Sequence, residues 1–271
     1  MNKTPLLFGI LNITSDSFSD GGRYLEPEAA IAQARALMDA GAHVLDVGPA
    51  SSHPDSQPVS AAEEISRLGP VLPALRAMGA LLSIDSFQRE TQRWALGLEG
   101  GAGVDYLNDI QGFPDEGFYP ELAAAKPKLI VMHSVQGRGP ATRVAPPPGA
   151  MIDHVSRFFE ARFAALEGAG VARDRLILDP GMGFFLGNTP GPSLEVLRGL
   201  KQLKARFGTP ILVSVSRKSF LRKLTGAEIG GSAAATLAAE LFAVEAGADM
   251  IRTHDPRQIA DGLAVWRALR Y

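Results

Sequence analysis

The sequence has no cysteine. That removes disulfides, thiolate zinc sites and a cysteine nucleophile together, and it is in keeping with a reducing compartment. Net charge is also nearly absent: 27 Lys and Arg against 29 Asp and Glu leave −2. A balance this close to zero argues against nucleic acid or a membrane surface as a partner, yet leaves room for a small anion in a local basic pocket. No apolar run approaches the ~20 residues that cross a bilayer. The apolar stretch Pro5–Ile13 contains Gly9 and Asn12 and leads to no small-residue cleavage site, unlike a secretory signal. There is no P-loop, no H-E-x-x-H and no G-x-S-x-G. Gly181-Met-Gly183 starts like a dinucleotide fingerprint, but its sixth position is Leu186 and no acidic partner follows at the expected distance. The expectation is a soluble, cytoplasmic protein that acts on small molecules.

What is present is 271 residues, 46% of them hydrophobic and 21% charged, enough for one large α/β domain over 1–271. Eight short apolar runs punctuate the chain: Leu6–Ile13, Val44–Val47, Leu81–Ile84, Val104–Leu107, Leu129–Met132, Leu176–Leu178, Ile211–Val215 and Met250–Ile251. Each is too short for a core helix. Continuous rather than alternating apolarity reads as a strand buried on both faces, as in a parallel sheet. Helical periodicity fills most gaps, at Pro27–Ala40, Ala61–Met78 (broken by Pro70 and Pro73), Ile152–Gly168, Ser193–Phe207, Ala233–Ala246 and Pro256–Leu269. The third and fourth crossovers are less periodic. Eight strands alternating with helices predict a single-domain (β/α)8 TIM barrel, with an open doubly wound sheet as the alternative. The Pro-rich stretch Gly139–Gly149 reads as a long surface loop.

Barrel enzymes draw their chemistry from the C-terminal strand ends. One step beyond each run stand Asn12, Asp46, Asp85, Asn108–Asp109, His133, Asp179, Ser216–Lys218 and Arg252–His254. A lone Asp after a strand reads equally as a helix N-cap, and a lone His133 as a satisfied loop residue rather than a metal ligand. Eight polar exits together point to a site. Asp85, Asn108 and Asp179 suit the N–H edge of a planar heterocycle, because carboxylates accept two such bonds in parallel. Asn12, Ser52, Arg252 and His254 suit a phosphate-like group, and Lys218 stands between the two sets.

The motifs Gly9-Ile-Leu-Asn12-Ile-Thr-Ser-Asp16-Ser-Phe18, Asp46-Val-Gly48, Ser83-Ile-Asp85, Leu107-Asn108-Asp109, Val131-Met-His133, Asp179-Pro-Gly-Met-Gly183-Phe184, Ser216-Arg-Lys218-Ser219 and Arg252-Thr-His254-Asp255 resemble, in order, those of dihydropteroate synthases. The resemblance spans essentially the whole chain. It implies a transferase that joins 4-aminobenzoate to 6-hydroxymethyl-7,8-dihydropterin diphosphate, releasing pyrophosphate in folate biosynthesis. It further implies that Asp85, Asn108, Met132, Asp179, Phe184 and Lys218 hold the pterin. Asn12, Ser52, Arg252, Thr253 and His254 would hold the diphosphate, with Asn12 as the ligand of Mg2+. Phe18, Pro54, Phe185, Arg217 and Ser219 would form the 4-aminobenzoate pocket, and Asn12, Lys218, Arg252 and His254 would be catalytic. A homodimer is implied as well.

The chain departs from the usual family pattern at Ser15, at Pro49–Asp55, where His53 stands in the place of an arginine, and at Gly183-Phe184-Phe185-Leu186. These departures resemble the acquired, sulfonamide-resistant (Sul-type) synthases and imply sulfonamide insensitivity, with a Phe185 clash as the physical route. Two other readings stay open. One is a pterin-binding methyltransferase barrel, which has no need of the Ser-Arg-Lys-Ser segment or the Arg252–His254 pair. The other is a non-catalytic pterin- or drug-binding protein, supported by the missing arginine.

Overall fold

The computed structural model describes residues 4–14, 27–97, 103–137, 139–228 and 230–270. Eight parallel strands run in the order β6-β5-β4-β3-β2-β1-β8-β7. They are β1 (Leu6–Asn12), β2 (Val44–Gly48), β3 (Leu81–Asp85), β4 (Tyr106–Asp109), β5 (Lys128–Met132), β6 (Leu176–Asp179), β7 (Leu212–Val213) and β8 (Met250–Thr253). A parallel bridge between Leu178 and Ile211 joins β6 to β7 and closes the ring, aided by Leu178 N–H donating to Pro210 O at 2.9 Å. Sequential order with closure excludes the open doubly wound alternative. Each expected strand is present, although β7 is shorter than Ile211–Val215, because the chain turns at Ser216, where Lys218 N–H bonds back to Val215 O.

The crossovers are α1 (Pro27–Asp39), α2 (Ala61–Leu68), α3 (Leu72–Ala77), α4 (Arg89–Ala95), α5 (Tyr119–Ala124), α6 (Met151–Gly168), α7 (Pro190–Phe207), α8 (Ser219–Thr225), α9 (Ala233–Glu245) and α10 (Pro256–Ala268). Pro70 and Pro73 split the second crossover as expected: a proline interrupts the ladder it sits in, and Pro73 is tolerated in the first turn of α3. Leu7, Leu11, Leu45, Val47, Leu82, Ile84, Leu107, Leu129, Val131, Leu178 and Ile251 face outward and form one core with the helices. The opposite parity points into the barrel. At the bottom Phe8, Val44, Tyr106, Ile130, Ile177, Leu212 and Met250 pack as a separate apolar plug, with Phe8 and Tyr106 edge to face at 5.1 Å. Because strand side chains alternate, the residues two positions on from this plug also face inward, one layer higher.

Candidate active site

That higher layer is polar. Two residues on from Val44, Tyr106, Ile177, Leu212 and Met250 stand Asp46, Asn108, Asp179, Ser214 and Arg252, and two further from Asp46 and Ser214 come Gly48 and Ser216. The register pairs Asp46 with Ser83 and Asn108 with Asp85, which adds β3 to the ring. β1 contributes Asn12. Gly48 leaves room for it, since a Cβ there would meet Asn12 Oδ1 at 3.1 Å.

Arg252 organises this layer. Its Nε donates to Asp46 Oδ2 at 2.5 Å and its Nη2 to Asp85 Oδ2 at 2.6 Å, so one guanidinium is forked between two carboxylates. Burial alone would lower the guanidinium's affinity for its proton, but Asp46 and Asp85 outweigh that and raise it. Asn108 Nδ2 also approaches Asp46 Oδ2, at 3.4 Å. Burial pushes Asp85 up against the opposing pull of Arg252. Asp179 is pushed up to about 6 by burial, even though its Oδ1 accepts Gly181 N–H at 2.8 Å and Lys218 pulls it the other way. Lys218 is lowered to about 8, first by burial and then by Arg252. Asp46 Oδ1, Asn108 Oδ1 and Ser83 Oγ are buried without any hydrogen-bond partner. Buried acceptors without partners are rare. In this inward layer Asp46 Oδ1 and Asn108 Oδ1 suit ligand N–H or O–H groups, and Ser83 Oγ suits a donor or an acceptor.

The other side of the mouth suits an anion. Ser216 Oγ accepts His254 N–H at 3.2 Å and lies 2.9 Å from His254 Nδ1. With the Ser216 hydroxyl donating to Nδ1, His254 is the Nε2–H tautomer and offers that N–H as a donor; with Nδ1–H donating to Ser216, Nε2 is an acceptor. Burial, with Arg217 next, lowers His254 to about 3, so the ring is neutral. Arg217 is exposed and held at φ 58, an uncommon conformation for a residue with a side chain. Above the ring, Met132, Ile110, Ala141 and Phe185 form a small apolar cluster with Phe87 and Phe184 at its edge.

The family profile described as pterin binding enzyme matches residues 8–254. The chain is 61% identical to dihydropteroate synthase type-2 of Escherichia coli over 270 residues, covering 100% of this chain and 98% of the relative. It is 53% identical to dihydropteroate synthase type-1 of Escherichia coli over 258 residues, 95% and 91% of the two chains. The chain belongs to the dihydropteroate synthase family. Among solved structures, the synthase of Xanthomonas albilineans with 4-aminobenzoic acid superposes with a TM-score of 0.88 at 34% identity, covering 99% of this chain and 94% of that one. The same synthase in complex with 7,8-dihydropteroate gives 0.84 at 34% identity and the same coverage.

Within the synthase frame most of the expected residues converge on the mouth: Asn12, Asp85, Asn108, Met132, Asp179, Lys218, Arg252 and His254 crown the barrel. Ser52 and Pro54 lie half-buried in the loop after β2, and Ser219 opens α8. Phe18 lies outside the described residues. Thr253 needs correction as a diphosphate ligand through its side chain. It has the outward parity of β8 and is 1% exposed, so its hydroxyl faces the helix layer. The simple division into two sets is also corrected: Arg252, assigned to the anion, is ion-paired to both Asp46 and Asp85. Asp46, named among the polar strand exits but given no ligand role, is central to it, and its signal was a carboxylate inside an apolar strand.

Two strand-exit groups turn away from the mouth. His133 is fully buried, with Nδ1 3.2 Å from Pro180 O and Nε2 3.0 Å from His154 Nδ1. Asp109 accepts from Gln92 Nε2 at 2.9 Å and from Gln111 N–H at 2.7 Å. His133 shapes the mouth through its backbone instead. Gly181, at φ 73, presses so close to the His133 carbonyl that no Cβ would fit.

Proposed function

We propose that the protein condenses 6-hydroxymethyl-7,8-dihydropterin diphosphate with 4-aminobenzoate to give 7,8-dihydropteroate and pyrophosphate. The observation that carries this reading is the set of unpartnered buried acceptors beside Asp85 and Asp179, opposite the donors Lys218, Arg252 and His254. The pterin's N–H edge satisfies Asp179 and Asn108. As the bond from the pterin methylene to the diphosphate oxygen breaks, both electrons leave with pyrophosphate. Lys218, Arg252 and His254, as its Nε2–H tautomer, stabilise the charge growing there, while the carboxylates and the electron-rich ring stabilise the cationic methylene. The aryl amine nitrogen then bonds to that carbon and gives up one proton to solvent. Positioning and electrostatics supply the acceleration, and no protein nucleophile is required.

Mg2+ fits the Asn12 corner in one mode. No group of three or more His, Cys, Asp or Glu is poised to hold a metal among the described residues. Mg2+ keeps several waters and takes substrate phosphates with few protein oxygens, of which the Asn12 amide oxygen would be one. There the ion would neutralise diphosphate charge.

Sulfonamide insensitivity, the property of the Sul-type group, is part of the same proposal. Phe185 is 4% exposed, packed on Met132 and stacked under Lys218 Nζ at 4.9 Å from its ring centre. Phe184 lies between His53 and Arg143, at 6.3 and 5.6 Å. Both rings add bulk where a sulfonamide carries more than the flat carboxylate of the substrate. A second copy of the chain is the proposed partner. It would cover the outer groove of about 460 Å3 between α9 and α10, lined by Leu237, Leu241, Val265, Trp266 and Leu269. No helix among the described residues is long and apolar enough to cross a membrane, and the proposed location is the cytoplasm.

The test is pyrophosphate release with both substrates, with and without Mg2+. Release that depends on 4-aminobenzoate supports the synthase. Pterin binding without release supports a sequestering protein, and methyl transfer to a corrinoid supports the methyltransferase reading.

A further inference from the structure

The earlier turns of helix α9 put polar residues inward, while Ala243 and Val244 keep its last turn apolar on the buried side. In a barrel the helix face against the strands is ordinarily apolar and the outer face polar. Here the inward positions of the first turns are Ser232, Thr236 and Glu240, four residues apart and 3%, 5% and 0% exposed. Phe242 is 45% exposed, and Leu237 and Leu241 line the outer groove. Burying polar groups in a helix–strand interface is unfavourable unless they are used. Neither Glu240 oxygen meets a partner at hydrogen-bond geometry. The Thr253 hydroxyl is the polar group beside it, and Asp255 adds negative charge nearby.

We propose that Thr236 and Glu240 are positioning residues for the anion-binding side of the mouth, Thr236 acting through the Arg217 main chain and Glu240 through Thr253. The inference rests on the reading of that side as the diphosphate site. Arg217 N–H donates to Thr236 Oγ1 at 3.3 Å, which tethers the residue held at φ 58 next to Lys218, the N-cap of α8. A non-glycine residue is uncommon in this conformation and persists only where its surroundings enforce it. Thr253 lies directly between Arg252 and His254, and its side chain is the part of that segment turned toward α9. Burial raises Glu240 to about 8 against the opposing pull of the Thr253 hydroxyl, whose oxygen accepts Asp255 N–H at 3.3 Å. Ser216, bonded to His254 twice, couples the two exits that α9 braces.

The test compares Glu240→Ala, Glu240→Gln, Thr236→Val and Thr236→Ser in the full chain. It measures calorimetric binding of inorganic pyrophosphate and the separate KM values of the two substrates. In the Ala and Val variants the pyrophosphate Kd and the KM for pterin diphosphate should rise about tenfold, while Gln and Ser stay within about twofold of the parent. The KM for 4-aminobenzoate should not move in Glu240→Ala, while Thr236→Val, which acts next to Arg217 and Ser219, should raise it as well. Thr253→Val supplies the same readout if Glu240→Ala fails to fold. Unchanged pyrophosphate affinity in the Ala and Val variants overturns the inference. So does a loss in Gln and Ser as large as in Ala and Val. A parent chain that neither turns over nor binds pyrophosphate overturns the functional reading and the inference with it.

Discussion

The bottom and the mouth of this barrel are built from the same inward-facing parity of the same strands, one step of two residues apart. Below, Val44, Tyr106, Ile177 and Met250 fill space with hydrocarbon and rings. Above, Asp46, Asn108, Asp179 and Arg252 fill the equivalent positions with charges and amides, and the Asp46 Oδ1 and Asn108 Oδ1 atoms lack partners. The lower layer gains free energy by burial. The upper layer holds desolvated charge that only mutual pairing, as in the Asp46–Arg252–Asp85 fork, makes tolerable. The plug is thus the foundation on which a layer costly to stability stands, and the two should answer differently to substitution.

The largest expected effect breaks the plug. Phe8 is fully buried there, and Phe8→Ala should cost about 4 kcal/mol of unfolding free energy, read by denaturant titration. KM values of the fraction that remains folded should stay near those of the parent. Next comes Glu240, a buried acid outside the barrel interior. Its native value of about 8 stands against an ordinary 4.5. Between these values the native state binds a proton that the unfolded chain has released. Stability is therefore full below about 4.5 and is lost as pH rises toward 8. Glu240→Gln removes the dependence and should stabilise the protein by about 3 kcal/mol at pH 7, with little gain at pH 4.5.

The mouth should show its own pH signature. Asp179 must be ionised to accept and Lys218 protonated to donate. The kcat/KM for pterin diphosphate should therefore rise up to about pH 6 and fall beyond about pH 8. A profile flat across both limbs would detach these two groups from catalysis. The smallest effect concerns the rim. Phe185→Gly should lower sulfonamide inhibition constants about tenfold, with a smaller change in the KM for 4-aminobenzoate. Unchanged inhibition would show that Phe185 is only a core residue of its loop.

Much of this was legible in the chain. Apolar runs bounded by Gly, Pro or charge marked all eight strands, since a strand buried on both faces needs no polar alternation. That same uniformity hid the parity. Nothing in Val44-Leu-Asp-Val47 says which side chains face inward until a neighbour sets the register, so Asp46 passed as one polar exit among others and Thr253 was assigned to the wrong side. His133 and Asp109 likewise stand at strand ends but serve the outer layer, a distinction that only position in the closed ring decides. The forked Arg252 was invisible for a further reason. Its partners are 206 and 167 residues away in the chain, beyond any local pattern. Helix α9 is apolar almost all round in sequence, so nothing in it says which face meets the barrel.

The comparison between the two layers is tested most directly by calorimetric titration of a pterin into the parent, Asp179→Asn and folded Phe8→Ala proteins. The account predicts that Asp179→Asn loses at least about a hundredfold in affinity, because a carboxylate accepting a charge-assisted pair of N–H bonds becomes an amide with one acceptor. Phe8→Ala, although less stable, should bind as the parent does. Near-normal affinity in Asp179→Asn, or an equal loss in both variants, would contradict it.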